Sequence, residues 1–238
     1  ATKGDFYLSD VEVSMLDRVA EAFDKVIVVL NIGAVIDTSW IDDYEDLTVL
    51  IAWQPGMEGG NAIADVLCGD AVPSGKLVDT FASSYDDYPS STTFNESNNY
   101  VNYEEDIFVG YRYFETFDPD YEKVNYEFGY GLSYTTFDIT DVEVTSDEEN
   151  IYVSAKVTNT GNYPGKEVVQ VYFSAPQGQL GKPGKELATF KKTKLLQPGE
   201  SQVLEMSFPI GDMSSYDDTG KVQKSAYVLE PDRKSTRL

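Results

Sequence analysis

The stretch Glu127–Phe137, EFGYGLSYTTF, sets four aromatic residues and two glycines within eleven positions. Glycine permits backbone angles that other residues resist. Aromatic rings bury large areas and stay rigid while doing so. A seam between two packed units needs both, so the patterns on either side of this stretch decide the fold.

Upstream, helix and strand signals alternate. Ser9 followed by Glu12 fits a capping box, and Leu16, Val19, Ala20 and Phe23 recur at helical spacing, which predicts a helix over 9–23. KVIVVLN (25–31) and LTVLIAW (47–53) are apolar runs without polar alternation, as in strands buried on both faces. GGNAIADVLCGD (59–70) reads as a second helix, with Ile63, Val66 and Leu67 on one face and Gly69 as its stop. GKLVDTF (75–81) reads as a short strand after a Pro-Ser-Gly turn. This alternation predicts an α/β layered sheet, parallel at least in part. The polar segment 83–99 reads as a long loop, and YVNYEEDIFVGYRYF (100–114) is again dense in rings.

Downstream, the pattern changes. IYVSAKVTNTG (151–161), KEVVQVYFSAP (166–176), ELATFKKTKLL (186–196) and SQVLEMSFPI (201–210) alternate in character. Turns at Gly161-Asn162, Pro183-Gly184 and Pro198-Gly199 separate them, with no helix between. Such spacing over about 100 residues predicts a β-sandwich of immunoglobulin or fibronectin type. The expected organisation is a partial α/β sandwich domain with an interface loop over 1–136, then a fibronectin type III-like β-sandwich over 137–230. The basic end PDRKSTRL (231–238) reads as a tail or an added scar, with the sandwich short of its last strand or two. An ordinary frayed terminus is the competing reading.

Composition removes several function classes. A net charge of −23 over 238 residues disfavours nucleic acid and anionic membrane as partners. No apolar run approaches the roughly 20 residues that span a bilayer, and no secretory leader is visible, so a cytoplasmic location is the expectation. Cys68 is the only cysteine and histidine is absent, which rules out an internal disulfide, a Ser-His-Asp triad and a histidine zinc site within these residues. No cofactor is expected. GDAVPSGKL (69–77) resembles a phosphate loop only superficially, because five residues separate its glycines where four are needed and Leu77 replaces the magnesium-binding hydroxyl. LNIGAVI (30–36) lacks the glycine pattern of a dinucleotide fold.

Carboxylates are then the abundant candidates for acid or base work. Glu104-Glu105-Asp106 lies among tyrosines with Arg112 nearby, and a carboxyl beside rings can hold a raised pKa and protonate a leaving group. An ion pair with Arg112, or a solvated loop, is the plainer alternative. Asp42-Asp43 and Asp86-Asp87 read as solvated loop charges. Trp40 and Trp53 offer faces on which a sugar stacks, against a competing role in the core. Cys68, inside an apolar helix, reads as an inert core thiol.

Taken together, VIVVLNIGAVIDTSW, AWQPGMEGGNAIADVLCGDAVPSGKL, YEEDIFVGYRYF, FGYGLSYTTF and VTNTGNYPGKEVVQVYFSAP, in that order, resemble the C-terminal half of glycoside hydrolase family 3, the β-glucosidase type. The resemblance runs to about Glu230. It implies a parent enzyme that hydrolyses terminal β-linked glucose, in a β-glucoside or oligosaccharide, with retention. It also implies a (β/α)8 barrel that supplies the nucleophilic aspartate, an α/β sandwich that supplies the acid/base glutamate, and a fibronectin-like outer domain. Retention uses two carboxyl groups about 5–5.5 Å apart. No stretch here resembles the barrel. The acid/base glutamate of the family lies in a Ser-Gly-Glu-Gly turn just before the part matching ATKGDFYLSD, so no catalytic role is carried onto any residue. The expectation is a β-glucosidase fragment, inactive alone, whose partner is the missing barrel. Glu104, Glu105 and Arg112 are its expected substrate-binding residues, and self-association follows from surface that the barrel would cover. The alternative is a non-catalytic carbohydrate-binding or scaffold module.

Overall fold

The computed structural model describes residues 5–94 and 97–230, and the basic segment 231–238 lies outside them. Among the described residues, 5–71, 77–106 and 118–130 form one compact unit, and 72–76, 107–117 and 131–230 form the other.

The first unit begins with helix α1 (Asp10–Ala22). Its capping box is complete: the Glu12 amide donates to Ser9 Oγ at 3.3 Å, and the Ser9 amide donates to Glu12 Oε2 at 2.8 Å. Asp10 and Glu12 place negative charge at the positive end of the helix dipole. Strands β1 (Val26–Leu30) and β2 (Leu47–Ile51) pair in parallel, Val28 opposite Val49. Leu16 of α1, Leu30 and Trp40 are buried at the centre of this layer, with Val28, Ile36, Val49 and Ile51 packed around them.

Two-sided burial of these strands does not hold here. Ile27, on the opposite face of β1 from Val28, is 55% exposed, and Val29 is exposed beside it. Among the described residues the core with α1 lies on one side only, and an unbroken apolar run does not record how many layers cover it.

Helix α2 (Gly59–Cys68) ends as its sequence predicts, at Gly69 with φ +83, whose amide reaches Val66 O. Cys68 is exposed rather than a core thiol, because the half-buried face of α2 is that of Ile63 and Val66. The strand expected over 75–81 shrinks to β3 (Phe81–Ala82), antiparallel to β4 (Val124–Tyr126). Leu77 forms no ladder. Its amide and carbonyl bond instead to Tyr130 O and from Gly129 N, each at 2.8 Å.

The second unit contains the short helix α3 (Tyr111–Phe117) and the sandwich. The strands are β5 (Phe137–Ser146), β6 (Asn150–Asn159), β7 (Val168–Phe173), β8 (Glu186–Lys192) and β9 (Ser201–Pro209). A hairpin of β10 (Ser215–Asp217) and β11 (Ala226–Val228) follows. One sheet has the order β5-β6-β9 and the other pairs β7 with β8. Alternation does the packing: Val153, Ala155 and Val157 of β6 and Leu204, Met206 and Phe208 of β9 point inward to Val169 and Leu196.

The opening stretch carries the passage from one unit to the other, between Tyr130 and Gly131. In the second unit a Cβ on Gly131 would run into the carbonyl oxygen of Gly75, so only glycine fits. Further on, Thr135 donates to the fully buried Asn159 at 2.7 Å. Asn159 Oδ1 also accepts the Gly161 amide, and its Nδ2 donates to Tyr163 O and Leu196 O. Every hydrogen-bonding site of that buried amide is used.

Candidate functional site

Segment 100–114, which holds the predicted site residues, passes between the units after Asp106. In the first unit Glu104 is exposed and Glu105 half-buried, within a turn over 104–107. Asp106 there has φ +50, a left-handed conformation that costs a non-glycine residue energy. The neighbouring Tyr103 is 91% exposed.

In the second unit Arg112 lies on α3. Its Nε sits 3.3 Å from Glu186 Oε2, an ion-pair distance without hydrogen-bond alignment, and its guanidinium lies 5.9 Å from the Tyr111 ring centroid. No local signal marks Glu186 as the partner, because it lies 74 positions away in a strand that reads as ordinary sandwich. The whole helix is tied to the start of β8. The Leu187 amide donates to Tyr111 Oη and the Gly184 amide to Thr116 Oγ1, each at 2.8 Å, and Lys185 pairs with Glu115. These bonds fix α3 without involving the guanidinium.

A second feature of the first unit is an open cavity of about 560 Å³ lined by Asn31, Gln54, Pro55, Gly56, Gly59, Gly60 and Ile63. It lies where β1 and β2 end and α2 begins, the place where ligands collect on parallel sheets. The PGMEGG segment builds its wall, and a Cβ on Gly59 would run into the Pro55 ring. Trp53, at φ +52 just before the wall, is half-buried with its ring centroid 6.3 Å from that of Phe81. Trp40 is buried, its Nε1 donating to Asp37 O at 2.8 Å, so it offers no face to a sugar.

Among the described residues, no group of three or more acidic or cysteine side chains converges as a metal site, and no helix is long and apolar enough to cross a membrane. Two carboxylates unremarked in the sequence are deeply held. Glu230 pairs with Lys182 at 2.7 Å, side chains 7% and 2% exposed. Asp217 is fully buried. Nothing in the sequence separates these two from the other acidic residues.

A family model described as the glycosyl hydrolase family 3 C-terminal domain matches residues 2–134, and one described as a fibronectin type III-like domain matches residues 167–234. The chain is 53% identical over 243 residues to β-glucosidase A of Butyrivibrio fibrisolvens, covering 95% of this chain and 29% of that protein. It is 45% identical over 217 residues to a β-glucosidase of Ruminococcus albus, covering 91% of this chain and 22% of that protein. The crystal structure of a β-glucosidase from Paenibacillus barengoltzii superposes with a TM-score of 0.88 at 49% identity, over 96% of this chain and 26% of that one. The chain thus spans under a third of the length of these relatives.

Proposed function

Because the chain belongs to glycosyl hydrolase family 3, we propose that it is the wall and outer support of a retaining β-glucosidase acting on terminal β-linked glucose. In this reading residues 1–136 are part of the α/β sandwich domain and 137–230 the fibronectin-like domain. The bond-breaking carboxyl pair belongs to a (β/α)8 barrel and to the polypeptide just before the part matched here. The observation that carries this is the 53% identity, over 95% of the chain, to a protein named as a β-glucosidase. Glu104, Glu105 and Arg112 are the proposed substrate-binding residues. Support comes from an exposed carboxylate beside an exposed ring, and from a partly exposed guanidinium whose ion-pair partner among the described residues is Glu186.

The test is a graft. This chain replaces the matching segment of the Butyrivibrio enzyme, and hydrolysis of an aryl β-glucoside is compared with that of the chain alone. The graft is expected to turn over and the purified chain to be inert. In the graft, Glu105→Gln and Arg112→Met are expected to raise KM. An unchanged KM removes these residues from the site. A folded but inactive graft, or turnover by the chain alone at constant specific activity through purification, overturns the reading.

A further inference from the structure

We propose that the β10–β11 hairpin carries a binding site for a neutral glycan chain, with Tyr216 and Tyr227 as its stacking surface. The two residues are direct cross-strand partners. Their ring centroids lie 5.2 Å apart with the planes at 60°. They are 53% and 75% exposed, while Asp217 beside Tyr216 is fully buried and Ala226 and Val228 on either side of Tyr227 are half-buried. Strand alternation therefore turns both rings outward. Leu229, just past the end of β11, is exposed as well.

The hairpin is held ready. Asp217 Oδ1 accepts the amides of Gly220 and Lys221 at 2.7 and 3.1 Å, and Oδ2 those of Val222 and Gln223 at 2.7 and 2.8 Å. The loop between the strands thus closes around one side chain. Rings on such a support lose little freedom when a ligand arrives.

Three observations select the occupant. Two exposed rings inclined at 60° present apolar faces to solvent, which suit the C–H face of a pyranose whose hydroxyls stay in water. The loop between the two strands, with Asp218, Lys221, Gln223 and Lys224 exposed, offers donors and acceptors. The net charge of −23 repels polyanions, which leaves a neutral chain. Such a site holds polysaccharide without cleaving it, so it stands or falls separately from the hydrolytic reading.

The full chain is run in native gels containing neutral barley β-glucan or hydroxyethyl cellulose. Its migration is expected to slow as polysaccharide is added. The Tyr216→Ala/Tyr227→Ala variant is expected to bind about tenfold more weakly, the change that about 1.4 kcal/mol of lost stacking produces. Tyr227→Phe keeps the ring and is expected to keep binding. Tyr163→Ala, which removes an exposed tyrosine outside the hairpin, is expected to change nothing. Should the double variant fail to fold, the ring-proton NMR signals of Tyr216 and Tyr227 in the unaltered chain are expected to shift on adding cellotetraose. Absence of retardation, equal retardation of the folded double variant, loss of binding in Tyr227→Phe, or shifts confined to other tyrosines overturns the site.

Discussion

At the scale of single residues, Asp217 shows how burial and charge are reconciled. Loss of water pushes its carboxyl pKa up, but the amides of Val222, Gln223, Gly220 and Lys221 outweigh that and bring it down to about 2. A carboxyl depressed on folding stabilises the folded state above its unfolded pKa of about 3.9. That contribution is lost as pH falls through the folded value. Urea unfolding is expected to show stability declining between about pH 4 and pH 2, and Asp217→Asn is expected to lower stability at pH 7 and flatten that decline. An unaltered pH profile in the variant would show that the carboxylate is not the source. The sequence contains 41 acidic residues, and nothing local marks this one, because its four donors are brought to it by the fold of a loop. The same holds for Arg112. Its place in an aromatic segment was legible, whereas its partner Glu186 was not.

At the scale of elements, loop 176–184 of the second unit is organised by a residue distant in sequence. Glu230 accepts the amides of Gln179 and Leu180 at 2.6 and 3.2 Å, and Lys182 donates to Pro176 O at 2.7 Å. The hydrogen bond from Lys182 holds the Glu230 carboxyl below its ordinary range. A Cβ on Gly178 would collide with that carboxylate. Lys182→Met strands Glu230 and is expected to destabilise the chain by about 3 kcal/mol in chemical denaturation, since breaking a buried pair leaves one charge uncompensated. Lys182→Met/Glu230→Leu is expected to recover part of the loss. A larger loss in the double variant than in Lys182→Met would mean that the amide bonds accepted by Glu230 outweigh the cost of leaving its charge unpaired. Elements with local signals are legible in the sequence: α1 from Ser9 and Glu12, the end of α2 from Gly69, and β6 and β9 from alternation. The strand expected over 75–81 does not form as such, because the backbone bonds of Leu77 go to the turn at Gly129 and Tyr130, and local propensity does not encode where a strand's partner lies.

At the scale of the whole molecule, Val11 and Met15 leave apolar surface exposed on α1, Phe23 is exposed at its C-terminal cap, and Ile27 is bare on β1. Such surface drives association when nothing covers it. Sedimentation is expected to show mass rising with concentration, and Met15→Gln/Phe23→Gln is expected to suppress the rise. A monomer at every concentration would show that this surface is tolerated in water. By itself the sequence determined the family, the two kinds of architecture and the helix caps, because periodicity, turn residues and capping residues act over a few neighbouring positions. Tertiary structure alone decided that β1 is bare on one side, that Arg112 meets Glu186, and that Asp217 and Tyr216–Tyr227 share one hairpin. Each of these depends on which distant segments meet, and on which faces the fold leaves to water.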